Sequence, residues 1–256
     1  MRRTVLVPRT VGLPAGRWLA GGLAGGVLAA GLVAGCATGP GSPTGPGDDA
    51  GCDAGAGARA ADAGYAEVLA LSAPTADYAW YPETVTSALP SVTYADASGD
   101  AHASELAAVG RFTAWAEGEP EYPTVSIIDL TFDVDEVVDS LGDLTMLEGG
   151  GTVTVHVSVN ACADVGRVAD ELLGLGDVVL FLNHVGPEPW PPPEWINVFG
   201  GAFLGDVQDD GTVTWPVADA IAANNPADAH PEADAGTLDE LRTAATEERT
   251  VDLTTG

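Results

Sequence analysis

The sequence predicts a mainly β domain, a small barrel with helices at its margins, preceded by a signal peptide and a flexible linker. Three patterns carry that expectation. Val153, Val155, Val157 and Val159 alternate without a break with Thr152, Thr154, His156, Ser158 and Asn160, the period of two that a half-buried strand requires. Ile128, Leu130, Phe132 and Val134 alternate in the same way with Asp129, Thr131, Asp133 and Asp135. Residues 1–35 are basic and then apolar, residues 36–64 contain almost no large apolar side chain, and globular patterning begins at Tyr65, which places the folded domain at 65–256.

The N-terminal segment carries Arg2, Arg3, Arg9 and Arg17 with no acid, followed by an uncharged run from Trp18 to Gly35 that ends in small residues. Such a run reads as a signal peptide. A retained transmembrane helix is the competing explanation, but the run is short for a bilayer and Gly21, Gly22, Gly25, Gly26, Gly31 and Gly35 weaken a helix. The junction Val33-Ala34-Gly35-Cys36 resembles the lipobox of bacterial lipoproteins. That resemblance implies cleavage before Cys36, a diacylglyceryl group on its sulfur and a further acyl chain, such as palmitate, on the new amine. Two or more acyl chains, at about 0.8 kcal/mol per buried methylene, anchor a protein stably. The expected location is therefore the extracytoplasmic face of the cell membrane, held by lipid. The Arg2-Arg3 pair followed by Thr4-Val5-Leu6 faintly resembles a twin-arginine signal and leaves the export route open.

Removing residues 1–35 takes four of the nine Lys+Arg and none of the 38 Asp+Glu, so 221 residues remain with five basic and 38 acidic side chains, a formal charge of −33. The chain contains no lysine. So anionic a surface repels phosphate backbones and anionic headgroups. Nucleic acid is excluded as a partner, and the membrane is contacted only through the lipid. Residues 36–64, rich in Gly, Pro, Ala and Asp, cannot bury enough surface to order themselves and read as a flexible tether. With Cys36 lipidated, Cys52 in the tether and Cys162 in the domain are the remaining cysteines. They are candidates for a disulfide in an oxidising exterior, although Cys52 lies in a segment with no apparent reason to dock.

Within the domain, Tyr65 to Leu71 reads as a short helix and Glu83 to Leu89 as one helical turn. Strands are expected to begin at Leu106. Leu106 to Ala116 alternates around Gly110, which permits a bend or a close approach. Val125 and Ile127 are out of phase with the residues from Ile128 onward, which predicts a β-bulge near Ile127 and Ile128. Asp164 is placed to cap a helix that Gly174 and Gly176 stop. Val178 to Leu182 is continuously apolar and suits a strand covered on both faces. Trp195 to Phe199 and Ala202 to Val207 are expected as strands. Asp209-Asp210-Gly211 is expected to turn the chain into Thr212 to Trp215, with Asp-Gly as a hairpin signal because both central positions favour positive φ. Thr237 with Glu240 forms a capping-box pattern for a helix reaching about Glu248.

This order resembles an OB-like β-barrel, distantly similar to the inhibitor domain of tissue metalloproteinase inhibitors, that recurs in uncharacterised secreted bacterial proteins and lipoproteins. The matching features are Val109-Gly110, Phe132 to Val138, Val153 to Val159, Gly176 to Leu182, Gly201-Ala202-Phe203 with Asp210-Gly211, and Leu238 to Leu241. The resemblance implies a fold and no particular reaction. The cysteine through which such inhibitors chelate a protease metal has no counterpart at the barrel's N-terminal edge, so inhibition does not carry over.

No catalytic motif, phosphate-binding loop or closely spaced Cys/His metal cluster occurs, and neither a cofactor nor a metal is predicted. His102, His156, His184 and His230 are the only imidazoles; a strand-face His such as His156 is most simply a solvated polar position. Asp206, Asp209 and Asp210 lack the spacing of an EF-hand. Residues 187–195 (PEPWPPPEW) hold Trp190 and Trp195 on a stiff, extended path. These two rings form either a binding platform for an envelope protein or glycan, or a lid packed on the barrel. The function expected is a binding or structural module rather than an enzyme. An envelope hydrolase without a recognisable motif is the alternative.

Overall fold

In the computed structural model the described residues are 63–72, 82, 84–120, 122–142, 147, 150–184, 194–224 and 232–253. Val33, Ala34, Gly35, Cys36, Cys52, Trp190 and His230 lie outside them. The domain is mainly β. Its elements are α1 (Tyr65–Ser72), β1 (Val92–Asp96), β2 (Gly99–His102), β3 (Leu106–Gly118), β4 (Val125–Ser140), β5 (Gly151–Asn160), α2 (Val165–Leu173), β6 (Asp177–His184), β7 (Glu194–Asn197), β8 (Gly205–Val207), β9 (Val213–Thr214), α3 (Pro216–Asn224), α4 (Leu238–Ala245) and β10 (Arg249–Asp252).

One seven-stranded sheet runs β3-β4-β5-β7-β6-β8-β9, and β3 also pairs with β6. The pairings are antiparallel except β5 with β7, which is parallel. On β5 the valines Val153, Val155, Val157 and Val159 are all buried, while Thr152, Ser158 and Asn160 are exposed and Thr154 and His156 half-buried. The phase read from the sequence therefore holds, because only the valine face meets the core.

The core has two parts that share strands β3 and β6. Leu106, Ala108 and Phe112 of β3, and Val178, Leu180 and Leu182 of β6, join the valines of β5 and Ile128, Leu130, Phe132 and Val134 of β4 in the first. Ala107 and Val109 of β3, with Val179 and Phe181 of β6, point the other way into the second. There they meet Val85, Leu89, Phe199, Phe203, Trp215 and Leu241. The continuous apolar run of β6 reflects this double burial. Gly110 marks a close approach: a Cβ there would lie 2.0 Å from the carbonyl oxygen of Asp133.

Helix α2 starts on Asp164, whose side chain accepts from the Arg167 N–H, and ends at Gly174. Helix α4 has the full capping box, with Thr237 and Glu240 bonding each other's backbone. It stops at Ala245 rather than near Glu248 because Arg249–Asp252 leaves as a strand. That strand belongs to a second sheet, β10-β1-β2, so strands begin at Val92 rather than at Leu106. Helix α3 was not evident in the sequence; its alanines give weak periodicity.

Three further expectations are corrected. No register shift occurs at Ile127 or Ile128, where β4 pairs with β5 in unbroken register from Val125 to Val134. The irregularities fall instead in the β3–β4 pairing, at Ala107/Ala108, Val109/Gly110 and Phe112/Ala114, where the two longest strands twist around each other. The segment after Trp195 is strand only to Asn197; Val198–Gly201 is a 3₁₀ turn in which Phe199 takes a left-handed φ of 53°, and strand resumes only at Gly205. The turn into β9 has positive φ at Gly211 alone. Asp209-Asp210-Gly211 does turn the chain, as a three-residue loop closed by the Gln208 N–H on the Thr212 carbonyl, but Asp210 is not left-handed.

Candidate functional site

The two outer flanks of the large sheet differ. Outside β3 and β6 lies the second core, so that flank is covered. Outside β4, β5 and β7 the alternation of each strand presents polar side chains. In register, Asp129 of β4 stands opposite His156 of β5, and Ile196 of β7 stands on the other side of His156. Glu194, two residues earlier on β7, pairs with Thr154 and therefore reaches the same face.

These placements build a carboxylate–imidazole–carboxylate line across three strands. Nδ1 of His156 lies 2.6 Å from Oδ1 of Asp129, and Nε2 lies 3.4 Å from Oε2 of Glu194. The three side chains are 22%, 30% and 43% exposed respectively. The short bond to Asp129 holds the ring; the longer contact leaves Glu194 freer and more open to solvent. Gly118 of β3 makes room for the arrangement, since a Cβ there would lie 2.6 Å from Oδ1 of Asp129 and 2.5 Å from a methyl of Ile127. Beside the line, Thr152 donates to Asp133 at 2.8 Å, and Ser158 and Ile196 are exposed. Such a surface offers carboxylate acceptors, hydroxyls and one apolar contact to a ligand.

The other two described imidazoles, His102 and His184, are structural. His102 Nδ1 lies 2.9 Å from the Pro90 carbonyl and 3.1 Å from that of Val92, and the His184 ring packs edge-on against Trp195 at 5.3 Å. Trp195 itself is 3% exposed within the first core. It cannot serve as an exposed platform, because its strand, β7, inserts it between β5 and β6 opposite Val155 and His184. Trp190 lies outside the described residues.

Asp206, Asp209 and Asp210 line an open depression of about 680 Å³ together with Gly174 and Gln208. The carboxylates of Asp206 and Asp210 serve local structure. Asp210 accepts the Thr212 N–H at 3.0 Å, which holds its carboxyl below the ordinary value, and Asp206 accepts from Gln208 at 3.1 Å. Among the described residues no three His, Cys, Asp or Glu side chains converge as metal ligands. Four arginines are engaged within the domain. Arg111 bridges Asp135 and Asp177 at 3.3 and 3.0 Å. Arg242 grips Glu136 through two nitrogens and bonds Asp239. Arg167 bonds the Ala63 carbonyl and Arg249 that of Thr86. Most of the described carboxylate residues are exposed.

Cys162 sits in the turn between β5 and α2 and is disulfide-bonded. The chain has only two other cysteines, Cys36 and Cys52. Asp129, Glu194 and Gly118 were not singled out from the sequence. Alternation alone puts Asp129 and His156 on outward faces, but their pairing depends on an interstrand register that no local pattern reveals.

No family model, curated protein or solved structure matches the chain. Among the described residues no helix is long and apolar enough to cross a membrane.

Proposed function

We propose that this protein is a cell-envelope lipoprotein, anchored through Cys36 on the extracytoplasmic face, that carries a binding module on a flexible tether. The observation that carries the binding role is the polar flank of β4, β5 and β7. There Asp129, His156 and Glu194 are aligned at hydrogen-bond range, while the opposite flank of the sheet is packed under a second core. The anchor rests on the basic n-region, the apolar run and Val33-Ala34-Gly35-Cys36.

The module is an OB-like barrel. Its support is the cycle of pairings β3–β4–β5–β7–β6–β3, with α2 between the third and fourth strands of the cycle in sequence order. The partner is an envelope glycan or protein that brings hydroxyl or cationic groups to the carboxylates. The alternative, an envelope hydrolase, would need a nucleophile or water beside His156; both of its ring nitrogens face carboxylates instead. Photo-crosslinking in intact cells tests the binding role. A crosslinker at Ser158, on the open flank, should capture a defined envelope species that one at Asp219, an exposed position on α3, does not. Equal or absent capture from both positions would overturn it.

A further inference from the structure

We propose that Cys52 closes the disulfide at Cys162 and that this bond moves the attachment point of the tether from α1 to the end of β5. The assignment rests on the lipoprotein reading of Cys36. The chain has three cysteines, Cys162 is disulfide-bonded, and a sulfur in thioether linkage to a lipid cannot also form a disulfide. Cys52 is then the only partner left.

The local geometry accommodates the bridge. The Cys162 N–H donates to the Asn160 side chain at 2.9 Å, and the Asn160 N–H donates to Ser72 Oγ at 3.1 Å. The turn that carries Cys162 is thereby held against the C-terminal end of α1. The N-terminal end of α1 is fixed by bonds from Arg167 to the Ala63 carbonyl and from the Tyr65 N–H to Glu171. Helix α1 spans eight residues, roughly 12 Å at 1.5 Å per residue. Residues 53–62 can extend to about 35 Å, so the chain from Ala63 back to Cys52 reaches the Cys162 turn with slack.

Without the bridge, any pull on the anchor would enter the domain through α1, whose Val68 and Leu69 are fully buried in the first core. With it, the pull enters at the β5–α2 turn, beside a strand paired on both sides, and residues 53–62 carry no load. Formation is a two-electron oxidation: the two thiols lose two protons and two electrons as the S–S bond forms. The electrons reduce the disulfide of an exported dithiol–disulfide oxidoreductase to two thiols.

Arg59 is the only Lys or Arg between Cys52 and Ala63, which permits a direct test. Membranes bearing the native protein are treated with trypsin, with and without reductant, and sedimented. The proposal predicts that the domain cut at Arg59 stays with the membrane until reductant is added, and that Cys52→Ser or Cys162→Ser releases it on cleavage alone. Release of the cut wild-type domain without reductant would overturn the proposal. Should Arg59 resist cleavage, a site-specific protease sequence placed between residues 53 and 62 gives the same readout. Recovery of uncut protein in the supernatant would instead overturn the lipid anchor, so the two failures are distinguishable.

Discussion

Asp129 and His156 face each other across β4 and β5 as directly opposed residues, with Oδ1 and Nδ1 2.6 Å apart. The bond depends on a third strand, because Asp129 leans over Gly118 of β3. Gly118→Ala should therefore displace the carboxylate and break the bond, as Asp129→Asn weakens it by removing its charge. A hydrogen-bonded Nδ1–H resonance should be present in wild type and altered in the same way in both variants. Persistence of the wild-type resonance in Gly118→Ala would show that the glycine is not required.

The valine face of β5 is core, so Val155→Asp should abolish cooperative unfolding. An unpaired buried carboxylate costs several kcal/mol against a typical total of about 5 to 15. Ser158→Asp, on the exposed face, should leave the thermal midpoint nearly unchanged. Equal damage from the two would mean that the flank of β5 is covered.

Trp195 belongs to the core, and Trp195→Ala should destabilise the domain by about 3 to 5 kcal/mol. Denaturant unfolding measures this directly. A change under about 1 kcal/mol would contradict its burial.

Stability should fall at both ends of the pH range for identifiable reasons. Burial, then the charges of Asp206 and Glu171, push the Tyr65 phenol up to about 12 from its ordinary 10.0. A phenol whose folded value is raised contributes stability that is complete below about pH 10 and is lost as pH climbs toward 12. Tyr65→Phe should flatten that alkaline loss. Hydrogen bonding from Arg242 holds the Glu136 carboxyl below its ordinary 4.5. Its contribution is present above that value and disappears as pH falls through the lowered one. Arg242→Met should thus flatten the acid limb, and an unchanged limb would mean that Glu136 contributes nothing there.

Much of the fold was legible where one face of a strand is wet and the other dry. The alternations of β4 and β5, the Asp164 cap and the Thr237–Glu240 box are local signals and read correctly. Positions decided by tertiary packing did not. Val125 and Ile127 looked out of phase because the end of β4 is half-buried on both faces, and the strand expected through Phe199 breaks at a left-handed residue packed against Phe203. The second sheet was missed because its strands are four or five residues long and because β10 joins β1 across more than 150 positions. Of the site, His156 was visible as an outward imidazole, whereas its carboxylate partners come from strand register.

The central claim, a binding module held outside the membrane by a lipidated cysteine, is tested most directly by intact-mass measurement of the native protein extracted from membranes. The mass should correspond to a chain that begins at Cys36 and carries diacylglyceryl and acyl groups. A chain that retains residues 1–35, or that begins at an unmodified Cys36, would contradict it.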